Sequence, residues 1–394
     1  MIKAITIFIS IIVGNGLLYA QENVLWKYKT NDRVYASALI VDNIIYFGSG
    51  DHIFYAISKI TGEKIWKYKT NGNVHSSAAT YKNMVYFGSA DGNLYALDKN
   101  SGKLIWKFAS QGEKSYGLWD YYLSSPKEVD GVIYWGSGDG HLYALDGVDG
   151  NLKWKYKTGD IVHASPVIDA KTVYFGSFDG YFYALNKDNG NVIWKINTIG
   201  DTYFPKGEIQ KSAFVNDGIV YFGSRDYNIY ALDKITGTGK WNMKDGGGWI
   251  IATPTVYKEN VYFGTSDAHI FYALDKKSGK MVWKAPLAMR VYGAATADDG
   301  ILYFGTFDGK LLGLDYKTGA LKWEFQTEMS KQNYHTIYNE EGHFKDDFVL
   351  YGDDYVDTEA KIHELGSVLS SPVIEDKIIY FGSSDGYFYA VKLE

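Results

Sequence analysis

The sequence predicts an all-β chain, an eight-bladed β-propeller of four-stranded antiparallel blades, and three observations predict it. Tryptophan recurs in one frame at positions 26, 66, 106, 154, 194, 241, 283 and 323. A Tyr-aromatic-Gly-Ser/Thr tetrad recurs eight times, from Tyr46–Ser49 to Tyr380–Ser383. The two ends of the chain are complementary fragments of one repeat. Short alternating runs repeated about every 40 residues describe propeller blades.

The elements follow in order within one unit, SSAATYKNMVYFGSADGNLYALDKNSGKLIWKF (76–108). Four runs rich in Tyr, Val, Ile and Phe alternate in strand fashion: SSAATY innermost, then MVYFGS and NLYALD, with KLIWKF outermost. Asp91-Gly92 joins the second and third runs, a pair favoured in tight hairpins because it tolerates positive φ. Lys-Asn-Ser-Gly joins the third to the outermost. A small residue heads each innermost run: Ser37, Ser77, Ser125, Ser165, Ser212, Thr253, Ala294 and Ser371.

Spacing separates scaffold from variation. The small residue precedes the tetrad glycine by 11 residues in all eight copies. That glycine precedes the next tryptophan by 18 residues in six copies and by 19 in one. Only the step from tryptophan to the next small residue varies widely: 11, 11, 19, 11, 18, 12, 11 and 48. At the ends, Val24 to Thr30 is a lone outermost strand, and the unit from Ser371 to Glu394 stops before its own. Pairing the two closes the ring and removes an aggregation-prone edge.

Residues 1–20 (MIKAITIFISIIVGNGLLYA) combine Lys3, a short apolar run and Leu18-Tyr19-Ala20, the pattern of a secretory signal peptide. The expectation is an exported, periplasmic or envelope-associated protein cleaved near Ala20, with the propeller over 21–394 and no transmembrane segment in the mature chain. A net charge of −6 gives no reason to expect nucleic acid. There are no cysteines, hence neither disulfides nor a lipid-bearing cysteine.

The segment ALDKNSGKLIW (96–106) has the form A-x-D-x-x-[S/T]-G-x-x-x-W, with close copies ending at Trp154, Trp194, Trp241 and Trp283. Ser58 replaces the Asp in blade 1 and Gly313 the Ala in blade 7. This resembles the tryptophan-docking repeat of pyrroloquinoline quinone (PQQ)-type propellers, over essentially the whole mature chain. The resemblance implies one of two branches. Quinoprotein dehydrogenases carry PQQ and calcium, commonly with the quinone between a tryptophan and a vicinal disulfide. The non-catalytic branch includes the lipoprotein of the outer-membrane β-barrel assembly machinery. The disulfide cannot form here, no calcium ligand set maps residue by residue, and the lipid-bearing cysteine is also absent.

In a propeller, the outermost-to-innermost and second-to-third connections share one face. All large insertions fall there: 8 extra residues before Ser125, 7 before Ser212, 1 before Thr253 and 37 before Ser371. Recognition residues favour loops on a rigid scaffold, which marks this face as functional. Of eleven tryptophans, eight dock and Trp135 fills a tetrad slot, leaving Trp119 and Trp249, both in these connections. Each divides evenly between recognition and packing under the insertion. Asp120 and Tyr121 adjoin Trp119. Residues two before each small site, among them His75, His163 and Tyr292, are expected to ring the channel mouth.

Lys211 and Arg225 are expected to lie close together on that face and to hold a carboxylate or another anion, or to be solvated or paired with Asp120 or Asp226. The insertion 325–366 holds His335, His343 and His363 and many aspartates, but matches neither zinc spacing nor a calcium loop. It is expected to be a solvated acidic loop capping the channel, with no metal site. Three function classes follow. The preferred one is a non-catalytic propeller presenting an aromatic-rich face to a protein, glycan or envelope partner, with a small molecule at the channel mouth as a further option. The alternatives are a PQQ- and calcium-dependent oxidoreductase of alcohols or sugars, and a carbohydrate-active enzyme such as a polysaccharide lyase.

Overall fold

A computed structural model describes Leu18–Tyr19, residues 23–117 and residues 119–393. Eight antiparallel blades follow one another as predicted. In the second, Ala79–Tyr81, Met84–Gly88, Asn93–Asp98 and Leu104–Ala109 pair in order, with Tyr86 opposite Ala96 and Ala96 opposite Trp106. In the eighth, Val24–Lys29 pairs with Tyr387–Lys392, Trp26 opposite Ala390, so the N-terminal strand closes the ring. The predicted leader lies outside the described residues except for Leu18–Tyr19, whose backbone pairs parallel with Leu321–Gln326.

The repeat motif has a physical account residue by residue. Trp66 Nε1 donates to Lys99 O (3.0 Å) in the next blade's turn, and Tyr46 Oη donates to the same carbonyl (2.9 Å). The Asp98 carboxylate holds that turn through Ser101 N (2.8 Å) and Oγ (2.7 Å). Gly102 has φ +71 in its counterpart Gly62 and +70 here, and a Cβ at Gly102 would lie 2.7 Å from the Trp66 ring. Only glycine meets both demands. Trp26, Trp66, Trp106, Trp154, Trp194, Trp241 and Trp283 all dock this way. Trp323 cannot, because the outermost strand of blade 8 arrives from the other end of the chain and brings no turn. Its buried Nε1 has no partner among the described residues.

The aspartates of the second-to-third turns are staples. Asp91 Oδ2 accepts from Tyr95 Oη (2.7 Å) and Asn71 N (3.0 Å), and its Oδ1 accepts from Asn93 N (3.1 Å). The small-residue sites form a belt around the axis. Ser77 Oγ accepts from Ser37 N, Ser125 Oγ from Ser77 N, Ser165 Oγ from Ser125 N, Ser371 Oγ from Ala294 N and Ser37 Oγ from Ser371 N, at 2.8–3.0 Å.

The long insertion is more ordered than a solvated loop. Phe325 and Gln326 still belong to the strand Leu321–Gln326, and two helices follow, α1 (Glu328–Ile337) and α2 (Tyr355–His363). Thr327 caps α1 by accepting from Ser330 N. Asp346, Asp347, Asp353, Asp354 and Asp357 do face solvent, while Ile337, Tyr338, Ile362 and Leu365 are buried with the ring residues Tyr35, Ile251, Tyr292 and Leu369. The insertion is therefore a folded cap with its own share of the core. Among the described residues, no helix is long and apolar enough to cross a membrane.

Candidate functional site

The insertions meet over the axis in one aromatic layer. Trp119 adopts φ +70, a left-handed conformation that bulky side chains rarely take, and Gln210 Nε2 holds its carbonyl at 2.7 Å. Its ring stacks on Tyr355 of α2 (centroids 6.0 Å) and meets Trp249 edge-on (5.8 Å), which in turn meets Phe204 (4.8 Å). Tyr121 packs against Tyr35, Tyr292 and Phe307, and its hydroxyl donates to Glu359 Oε1 (2.5 Å). The contacts with Tyr355 and Glu359 tie blade connections to the cap, and the others tie the connections to one another.

Charges within this layer are met by groups of the same layer. His163 is buried between Asp120, whose carboxylate lies 3.0 Å from Nδ1, and Glu113, 2.6 Å from Nε2. Burial opposes its charge, but the two carboxylates outweigh burial and raise the imidazolium to about 10. Arg290, from the connection into blade 7, is buried against Glu359 of α2, with Nη1 2.8 Å from Oε2 and 3.0 Å from Oε1. Its Nη2 donates to Tyr351 Oη at 2.7 Å, and its Nε lies 3.3 Å from Asp267. Arg225 has no carboxylate within ion-pair distance among the described residues. It donates to Gln210 Oε1 (3.0 Å), with its guanidinium carbon 4.8 Å from the Tyr116 ring centroid and 4.7 Å from that of Trp249.

Tyr35, His75, Tyr122, Leu123 and His163 form a partition across the axis. On the cap side lies a cleft of about 540 Å³ lined by Asp32, Arg33, Asn73, Glu113 and Lys114. On the other side the central channel holds about 470 Å³, lined by the serine belt and Lys211. Lys211 Nζ stands 3.3 Å from the Tyr122 ring centroid, and burial lowers its ammonium to about 7. His75 is neutral, lowered by burial to about 4, with no partner for Nε2 among the described residues.

The predicted site residues thus divide into three groups. Trp119, Asp120, Tyr121, His163, Arg225 and Trp249 do come together; Asp120, Tyr121 and His163 line the cap-side cleft, while Trp119, Arg225 and Trp249 pack on one another and the cap. Lys211 and Arg225 do not form the expected pair: one faces the channel and the other is clamped by Gln210 in the cap layer. Tyr292 is 1% exposed and, like Tyr35 and Leu369, lies beneath the cap instead of ringing an open mouth. Of the three loop histidines, His363 is buried with Nδ1 3.3 Å from Tyr35 Oη, while His335 and His343 are exposed. Arg290, Glu359, Glu113 and Tyr351 were not anticipated. A signal existed, because arginine occurs only three times, at 33, 225 and 290, all in connections of this one face. Planar guanidinium groups are the better partners for buried carboxylates and aromatic faces.

The residues present do not fit PQQ with calcium. Among the described residues, neither axial cavity is lined by a tryptophan on which a quinone could stack. The converging carboxylates Glu113 and Asp120 already share the His163 imidazolium. Among the described residues, no group of three or more His, Asp or Glu is arranged to hold a metal ion.

Known proteins share this architecture and extend its context. The structure of BamB from Moraxella catarrhalis superposes with TM-score 0.70 at 16% identity, covering 94% of this chain and 99% of that one. A quinohemoprotein alcohol dehydrogenase from Comamonas testosteroni gives TM-score 0.69 at 15% identity, covering 93% and 76%. At such identities the likeness is one of fold alone. The dehydrogenase subunit of a quinone alcohol dehydrogenase from Gluconacetobacter polyoxogenes is 34% identical over 101 residues, 22% of this chain. That match spans only 14% of the relative's own length. The family described as outer membrane protein assembly factor BamB matches residues 9–115, 83–203 and 200–341, and the chain belongs to that family.

Proposed function

We propose that this protein is an exported, non-catalytic scaffold of the cell envelope whose cap face docks a protein partner. One observation carries the reading. The aromatic and charged groups gathered beneath the cap are engaged with one another, while the outer surface of the same layer leaves Val349, Tyr351, Tyr355 and Val356 exposed by 60, 51, 41 and 52%. Tyr203, on the neighbouring insertion, is 80% exposed. Aromatic and aliphatic side chains clustered on a rigid, internally braced surface suit partner recognition. The family description supports a partner from the outer-membrane assembly apparatus, and residues 1–20 support export.

The dehydrogenase relatives support a second reading, a PQQ-dependent oxidoreductase of alcohols, against which stands the lack, among the described residues, of a tryptophan lining either axial cavity. One experiment addresses both. A photo-crosslinking amino acid is placed at Val356 on the cap and at Ile60 in a turn of the opposite face, in the native host. Discrete protein adducts from position 356 but not 60, lost on adding Tyr355→Asp, are expected. Equal crosslinking from both faces would defeat the docking face. Stoichiometric retention of PQQ with turnover of an alcohol by the purified protein would replace the reading with the second.

A further inference from the structure

The channel beyond the partition carries an unbalanced set of donors. Each belt hydroxyl of Ser37, Ser77, Ser125, Ser165 and Ser371 accepts a backbone N–H from its neighbour. A hydroxyl has one proton as well as its acceptor lone pairs. None of these five has a protein acceptor for that proton among the described residues, so five O–H donors are free to turn towards the axis. The belt is interrupted at blade 5, where Ser212 Oγ instead donates to Ser165 O (2.7 Å) and Lys211 precedes it.

Lys211 adds a cation to these donors. No carboxylate lies within ion-pair distance of its ammonium among the described residues, and its sole close neighbour of opposite polarity is the face of Tyr122. That ring is pinned, because Tyr122 Oη donates to Leu369 O at 2.8 Å. On a half-buried lysine, an ammonium with only a π-face beside it is under-compensated. The strong lowering of its pKa by burial has the same origin. The neighbouring histidines do not supply a counter-charge: His75 is neutral and His163 is cationic between its own two carboxylates. Farther along, the wall becomes apolar with Leu39, Pro126, Pro166 and Val167, and Glu128, on that wall, accepts from Gly131 N. A volume of about 470 Å³ is that of a small-molecule site.

We propose that the channel binds a small aliphatic monocarboxylic acid, its carboxylate at Lys211 within the hydroxyl belt and its hydrocarbon body between the prolines. Lys127 and Glu128 on the wall offset one another in charge, which leaves Lys211 to balance a single negative charge and favours a carboxylate over a phosphate dianion. The blind end at Tyr122 fixes the orientation. This site lies on the other side of the partition from the cap and stands whether or not the docking face does.

The test uses the full mature protein with acetate, butyrate and hexanoate as probes, and inorganic phosphate and hexylamine as contrasts. Acylation of Lys211 by an N-hydroxysuccinimide ester is followed by peptide mass spectrometry, and melting is followed in parallel. Hexanoate is expected to slow Lys211 acylation several-fold and to raise the melting temperature, acetate to do so weakly, and hexylamine not at all. Lys211→Met is expected to lose the melting shift. If that variant does not fold, protection of the wild-type lysine decides alone. Unchanged acylation of Lys211 under saturating hexanoate, a hexanoate shift that survives in Lys211→Met, or stronger protection by phosphate than by hexanoate overturns the proposal.

Discussion

Replacing Arg290 with methionine isolates the bond between cap and propeller. Methionine keeps much of the volume and removes the charge, so the loss is chiefly that of the Nη1 bonds to both Glu359 oxygens, the bond to Tyr351 and the ion pair with Asp267. Breaking a buried pair by removing one partner costs about 3–5 kcal/mol, because the other charge is left uncompensated. The lower end applies here, since Glu359 keeps the Tyr121 hydroxyl as donor and can take up a proton. A loss of about 3 kcal/mol in closing the cap raises its open fraction roughly a hundredfold. Native-state trypsin digestion reads this directly, because Lys331, Lys345 and Lys361 lie on the exposed side of the cap. Cleavage at those sites is expected to accelerate about a hundredfold, with the blades resisting as one fragment, in keeping with that opening equilibrium. Arg290→Met combined with Glu359→Leu is expected to recover part of the loss, since Glu359 is then no longer buried without its partner, while Asp267 still loses the guanidinium. Cap cleavage within twofold of wild type in Arg290→Met would refute the view that this pair fastens the cap.

Two further perturbations test the scaffold. His163 has a folded pKa near 10 against an ordinary 6.5, so its contribution is fully present below pH 6.5 and is lost as pH rises towards 10. The ceiling is about 5 kcal/mol, and the mutual coupling of three charges brings it lower. Wild type minus His163→Gln stability from urea melts is expected to shrink steadily over that range, a difference in which the opposing titration of Lys211 cancels. A difference independent of pH would mean that the imidazolium is not held by Asp120 and Glu113. Trp66→Phe removes an indole donor from Lys99 O, whereas Trp323→Phe removes a buried N–H that has no partner among the described residues. The first is expected to cost about 1–2 kcal/mol more than the second, by the asymmetry between a made and an unmade hydrogen bond. Equal urea midpoints would remove the docking bond from the account of the repeat.

The eight blades, their order and the closure by Val24–Lys29 were legible in the sequence because each is a local matter. Tyr-Phe-Gly-Ser, Asp-Gly and Asp-x-x-Ser-Gly specify turns and docking contacts within a blade or with its immediate neighbour, and repetition multiplies the signal eightfold. The face bearing the insertions was legible too, since strand alternation assigns every connection to one end of the ring. The arrangement inside that face was decided only in three dimensions. Glu359 reaches Arg290 across 69 residues of sequence, Tyr121 reaches Glu359 across 238, and Tyr35 meets His363 across 328. No periodicity links such positions, because the insertions are unique segments that pack where the closed ring happens to bring them. The same reason separates Lys211 from Arg225. Sequence put both in blade 5 on one face, but the side chain of Tyr122, delivered from blade 3, divides the axis between them.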